Sequence, residues 1–188
     1  MSSIILGVTG SIAAYKAADL AHRLTADGHQ VDVILTRAGA QFVTPLTFQT
    51  LTGRPVGADL FADAGDDVRH ITLARTADLA LVAPATADII GKLAAGIADD
   101  YLTTVLLALR GQPQLLAPAM NWAMYAHPAV QDNLATLRRR GWEVVEPVEG
   151  RLACGETGRG ALAPVADILD RVGARLGRPD ERRGGGHG

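Results

Sequence analysis

The chain has a single cysteine, Cys154, among 188 residues. No disulfide can form within it, which excludes the stapled domains of small secreted proteins. Aromatic residues are scarce, at 4%, so Ala, Leu, Val and Ile must carry the packing. Charge is modest too: 20% of residues are charged and the formal net charge is −2. That balance gives no electrostatic case for nucleic acid or an anionic membrane surface as partner. No apolar run reaches the roughly 20 residues that span a bilayer. The N-terminus lacks a basic segment followed by a long apolar one, so it does not read as a secretory signal. A soluble cytoplasmic protein is the expectation, and no metal site is expected.

What is present is apolar bulk. Hydrophobic residues make up 48% of the chain, and at this length about 70% of the unfolded surface can be buried. One domain is expected over 1–177. The tail 178–188, RPDERRGGGHG, is polar and glycine-rich and reads as disordered. Short apolar β-rich runs occur at 4–9, 31–36, 79–83, 114–117 and 142–146, the third and fourth ended by Pro84 and Pro118. Helical spacing predicts helices at 12–27, 40–51, 87–96, 99–110, 127–140 and 163–176. Gly28 falls where a helix-terminating glycine belongs. Strands alternating with helices predict an α/β fold: a doubly wound parallel sheet of Rossmann-like or flavodoxin-like type. Such sheets bind ligands at the carboxyl ends of their strands.

The residues at those ends are informative. Gly10-Ser11-Ile12-Ala13 follows the first strand and opens a helix, a place where backbone N–H groups and the helix dipole suit a phosphate. Gly10 would permit a tight turn. The second strand ends in Thr36-Arg37, with no acidic residue to hold a ribose, so a mononucleotide fits better than a dinucleotide. A plain strand-to-helix turn is the other reading. After the third strand, Pro84-Ala85-Thr86-Ala87-Asp88 would let a flat ligand approach the backbone. After the fourth comes Pro118-Ala119-Met120-Asn121-Trp122-Ala123-Met124, in which Asn121 either meets a ligand or caps a turn. His70 precedes a helix-like stretch. The other four histidines carry no assigned role. Four glycines surround Cys154 between 150 and 160, which predicts a loop able to close over substrate.

Together these residues resemble the homo-oligomeric flavin-containing cysteine decarboxylases, over nearly the whole chain. Gly10 to Lys16 is similar to the family's flavin-phosphate turn, and Pro84 to Asp88 to its Pro-Ala-Ser/Thr-Ala-Asn motif. Pro118-x-Met120-Asn121-x-x-Met124 matches its Pro-x-Met-Asn-x-x-Met signature. Ala153-Cys154-Gly155-x-x-Gly158-x-Gly160 resembles the substrate clamp of phosphopantothenoylcysteine decarboxylases. The resemblance implies FMN bound between subunits of a trimer or dodecamer. Gly10, Ser11 and Ile12 would hold the phosphate, and Thr36, Phe42, Pro84, Ala85, Thr86, Asp88 and Ala119 would line the cofactor. His70 would be the catalytic base. Asn121 would bind the substrate carboxylate beside Met120, Met124 and Gly155, and Cys154 would donate a proton.

The implied chemistry suits those residue types. A cysteine carboxylate has no electron sink, and oxidised FMN can take a hydride from Cβ to leave a thioaldehyde. Carbon dioxide then departs as from a β-keto acid and gives an enethiolate. An imidazole, with an ordinary pKa of about 6.5, suits the proton transfers. With the clamp cysteine the hydride returns, and phosphopantothenoylcysteine becomes 4′-phosphopantetheine in coenzyme A biosynthesis. The alternative is a relative that stops at the enethiol of a ribosomal peptide ending in Cys. Position 88 is Asp where the family has Asn, and Arg159 precedes Gly160 where the family's arginine follows it. No phosphopantothenate–cysteine ligase domain is expected after residue 188. A non-catalytic flavoprotein and a prenyl-FMN-forming transferase are rival readings; His70 and Asn121 argue against the first, the Pro-Ala-Met-Asn signature against the second.

Overall fold

Apolar residues alternate between two faces along each central strand, and helices cover both faces. The computed structural model describes residues 1–57, 69–151 and 157–177. The main sheet contains β1 (Ser3–Val8), β2 (Gln30–Leu35), β3 (Leu79–Ala85), β4 (Gln114–Pro118) and β5 (Trp142–Val144), in the order β2-β1-β3-β4-β5. Every pairing is parallel, as the doubly wound reading requires. Ile4, Leu6 and Val8 turn to the face covered by α1 (Ala14–Ala26), α2 (Pro45–Thr52) and α8 (Val165–Leu176). Ile5, Ala80, Val82 and Leu116 turn to the face covered by α3 (Arg69–Thr76), α4 (Ala87–Ala95), α5 (Tyr101–Leu107) and α7 (Pro128–Arg139). This period-two division places two cores back to back across one sheet.

Local chemistry sets the boundaries. The expected helix at 40–51 is divided into a 3₁₀ turn at Gly39–Gln41 and α2. Pro45 is the cause: it drives the preceding Thr44 into an extended conformation (φ −75°, ψ 153°) and then starts α2 at its first position. Asp100 and Thr103 form a reciprocal capping box that starts α5. Gly28 takes φ +84° just past α1, as its sequence position implied. Pro118 closes β4 as expected, but Pro84 does not end its strand. β3 continues through Pro84 to Ala85, which pairs with Pro118 across a register shift, and prolines fit such irregular ladder positions.

Besides the short helix α6 (Trp122–Ala126), two further features were not foreseen. The stretch read as a glycine loop contains an antiparallel hairpin, β6 (Val148–Arg151) and β7 (Thr157–Ala161). The other is a cover on the β2 edge. Gly57 donates to the Val33 carbonyl and accepts from the Leu35 N–H, so backbone groups of this edge strand are paired. That segment is fastened by Arg54, whose Nε and Nη2 donate to the two carboxylate oxygens of buried Asp32 at 2.9 and 3.1 Å. Arg54→Met would leave that carboxylate without its fork of donors. We expect a loss of about 2 kcal/mol in urea unfolding, with Arg54→Lys restoring only part because it cannot reproduce the bidentate geometry.

Candidate functional site

The strand order reverses between β1 and β3, so the crevice lies at their carboxyl ends. Thr9 bridges them. Its buried hydroxyl donates to the Pro84 carbonyl at 2.6 Å and accepts from the Thr86 N–H at 3.2 Å. This fixes the two turns that lead into α1 and α4 against each other. Sequence reading passed over Thr9, although a lone polar residue closing an apolar strand was a signal.

Gly10 is needed for contact rather than for a left-handed turn. Its φ is not positive, and a Cβ there would lie 2.5 Å from the Ala38 Cβ. Gly39 is held as closely: a Cβ would lie 2.5 Å from the Val8 carbonyl oxygen. The Thr36 hydroxyl accepts from the Gly39 N–H at 3.0 Å, which ties the end of β2 to the same turn. Ser11 Oγ accepts from the Ala13 N–H at 3.3 Å. Among the described residues the N–H groups of Gly10 and Ile12 have no backbone acceptor. Neither α1 nor α4 has a side-chain cap. The turn before α1 thus offers two backbone donors, and the uncapped start of α4 stands beside it, an arrangement suited to an anion.

The remaining expected cofactor residues divide by exposure. Ile12 and Phe42 are exposed and offer apolar surface beside the turn. Ala85 and Ala119 are buried, and the Ala119 N–H donates to the Ala85 carbonyl at 3.0 Å, so they shape the floor through backbone. Asp88 lies in the first turn of α4, where its carboxylate complements the helix dipole, and it pairs with Lys92 at 3.5 Å.

Asn121 caps α6 (Trp122–Ala126): its Oδ1 accepts from the Ala123 N–H at 2.8 Å. The capping alternative is therefore realised. It fixes the side chain and makes the amide nitrogen the donor end. Met124 is exposed on the same short helix. His70 is not ahead of a helix but in the first turn of α3. Asp78, just beyond α3, donates its N–H to the Ser3 carbonyl at the amino edge of the sheet. The neighbour of His70, Arg69, lines a cavity with Ser3, Gln30, Asp32 and Arg54, at the amino half of the sheet. His127 serves as the cap of α7.

The hairpin is seated on the Asn121 segment. The Met120 N–H donates to the Gly160 carbonyl at 2.9 Å. A Cβ at Gly160 would lie 2.2 Å from the Met120 carbonyl oxygen, and one at Gly158 would lie 2.7 Å from the Trp122 Cβ. These glycines serve close approach, not looseness. Cys154 and Gly155 lie outside the described residues. Behind the contact, Glu146 accepts from the Tyr125 hydroxyl at 2.6 Å, from Arg159 at 3.2 Å and from Arg138. No sequence motif signalled this cluster, since its members come from four separate places in the chain. Burial, followed by the hydrogen bond to Glu146, pushes the Tyr125 phenol up to about 12.

A family model described as Flavoprotein matches residues 1–177. The chain belongs to the Flavoprotein family. It is 46% identical over 175 residues to a probable phosphopantothenoylcysteine decarboxylase of Streptococcus mutans, covering 92% of this chain and 98% of that protein. It is 49% identical over 160 residues to the coenzyme A biosynthesis bifunctional protein CoaBC of Vibrio vulnificus, covering 85% of this chain. It spans 40% of that bifunctional relative's length. Among solved structures, a PPC decarboxylase mutant complexed with pantothenoylaminoethenethiol superposes with a TM-score of 0.80 at 31% identity, covering 91% of this chain and 96% of that one. The FMN-dependent cysteine decarboxylase SpaF superposes with a TM-score of 0.80 at 29% identity, covering 94% and 95%. The flavin-family and α/β readings of the sequence hold.

Two outcomes test the site geometry. Thr9→Val removes a donor and an acceptor from a buried position and should cost about 2 kcal/mol in chemical unfolding; Thr9→Ser should recover most of it. In alkaline spectrophotometric titration of the folded protein, one phenol should ionise near 12, and Tyr125→Phe should abolish that step. A phenol raised in the folded state favours folding below its ordinary pKa of about 10. Its contribution is lost as pH rises from about 10 to about 12.

Proposed function

We propose that the chain binds FMN and decarboxylates a substrate ending in a cysteine carboxylate. Phosphopantothenoylcysteine is the substrate and 4′-phosphopantetheine the product, formed in the cytoplasm for coenzyme A biosynthesis. The observation that carries this is the seating of the β6–β7 hairpin on the Asn121 segment, beside a crevice flanked by two uncapped helix N-termini. That seating puts the Asn121 segment beside one end of the hairpin whose strands Cys154 connects in sequence, which supports the reading.

The crevice fits the cofactor on this structure's own terms. The unsatisfied N–H groups of Gly10 and Ile12 suit a phosphate, and exposed Ile12 and Phe42 suit a flat apolar ring system. Thr36, Pro84, Ala85, Thr86, Asp88 and Ala119 complete the lining. When bound, FMN supplies the two-electron sink that a cysteine carboxylate lacks. His70 takes up a proton from the substrate. The Asn121 amide nitrogen donates to the carboxylate and holds it beside Met120. Cys154 returns a proton to the product carbon. Exposed Ile12, Tyr15, Phe42 and Leu46 supply apolar surface for a homo-oligomer, a trimer or dodecamer, with FMN between subunits.

The likeness to SpaF supports a second reading, an oxidative decarboxylation of a peptide's C-terminal cysteine to an enethiol. One experiment separates the two. The yellow protein is offered phosphopantothenoylcysteine and a short peptide ending in Cys, and the products are weighed. Loss of carbon dioxide alone from the first substrate is expected; loss of a further two hydrogens from the peptide would give the second reading. His70→Asn and Asn121→Asp should keep the flavin spectrum and lose at least a hundredfold in kcat. Cys154→Ser should divert product to the enethiol, and an unchanged product would remove its role as proton donor.

A further inference from the structure

A cavity of about 460 Å³ opens between α6 and β7, lined by Trp122, Tyr125, Gln131, Thr157 and Arg159 among others. It begins one residue past Asn121 and is closed on one side by the contact of Gly158 with Trp122. We propose that this cavity receives the phosphate-bearing tail of the substrate, and that Arg159 is the residue that selects a phosphorylated tail over an unphosphorylated one. The proposal rests on the reading of phosphopantothenoylcysteine as substrate.

Charge carries the inference first. Arg159 is the one charged residue lining the cavity among those described. Behind it, the Arg138 and Arg159 guanidinium groups share one carboxylate, Glu146, while Glu149 stands opposite Arg159 in the hairpin register, outside the cavity lining and without an ion pair to it among the described residues. The phenol that also contacts Glu146 is Tyr125, which stays protonated up to about pH 12 and adds no negative charge. Geometry carries it second. Arg159 Nε donates to the Pro147 carbonyl at 3.3 Å and Nη2 to Glu146 at 3.2 Å. The guanidinium carbon lies 6.0 Å from the Tyr125 ring centroid. These contacts hold the group by one edge, and among the described residues Nη1 has no partner. A planar fork held by one edge can present its other edge to a phosphate.

The remaining walls suit the rest of such a tail. The exposed Trp122 indole and the Tyr125 ring offer apolar faces to an aliphatic chain. Gln131 donates its amide N–H to the Tyr125 carbonyl at 2.5 Å, so its carboxamide oxygen is the end able to accept from a substrate amide. The volume falls within the range of small-molecule sites. A peptide substrate would gain nothing from a lone cation here unless it carried its own anion.

The test compares phosphopantothenoylcysteine with pantothenoylcysteine on the flavin-loaded protein. The unaltered protein should prefer the phosphorylated substrate in kcat/KM, and the preference should weaken with added salt. Arg159→Gln should reduce that preference at least tenfold through KM, and Arg159→Lys should recover part of it. Calorimetry with 4′-phosphopantetheine and pantetheine should show the same loss of discrimination without turnover. An equal effect of Arg159→Gln on both substrates, or none on either, would overturn the assignment. No turnover of either compound by the unaltered protein would instead refute the substrate reading and the proposal with it.

Discussion

The Thr9 hydroxyl holds the site together. It is both donor to Pro84 and acceptor from Thr86, and it sits where β1 and β3 part company. A parallel sheet leaves a crevice at such a point because successive crossovers leave on opposite faces. The crevice alone does not orient anything. With Thr9 in place, the turns before α1 and α4 become one surface, and the starts of two helices face a common space. Gly10 against Ala38 and Gly39 against Val8 extend the same fastening to the end of β2.

A second fastening works on the other side. β7 lies against the Met120–Trp122 backbone, and the Glu146 cluster binds α6, α7 and β7 from behind. The two fastenings meet at the β3–β4 edge, where Ala119 bonds Ala85. The candidate cofactor surface and the candidate substrate surface are therefore successive parts of one hydrogen-bonded rim.

Much of this was legible in the sequence because its physics is local. Short, near-continuous apolar runs marked the strands, Gly28 marked the end of α1, and small residues after each strand marked the crevice. The misses have non-local causes. The division of 40–51 came from Pro45 acting on Thr44, which periodicity does not register. Glycines around 158 and 160 suggested looseness because sequence shows their missing side chains, not the Trp122 and Met120 atoms that occupy the space. Glu146, Arg138, Arg159 and Tyr125 meet only after four elements pack, so no spacing could announce them. Asn121 allowed two readings because an amide can cap with its oxygen and bind with its nitrogen.

The pressed glycines of β7 have a consequence for how such a fold can change. An added carbon at 160 meets the Met120 carbonyl and one at 158 meets the Trp122 side chain, so the root of the strand is fixed in sequence as well as in space. Variation in substrate choice must then enter through positions whose side chains stand clear of that contact. Position 159 lies between the two glycines and is such a position. A change there leaves the glycine contacts at 158 and 160 in place while releasing the Arg159 bonds to Pro147 and Glu146.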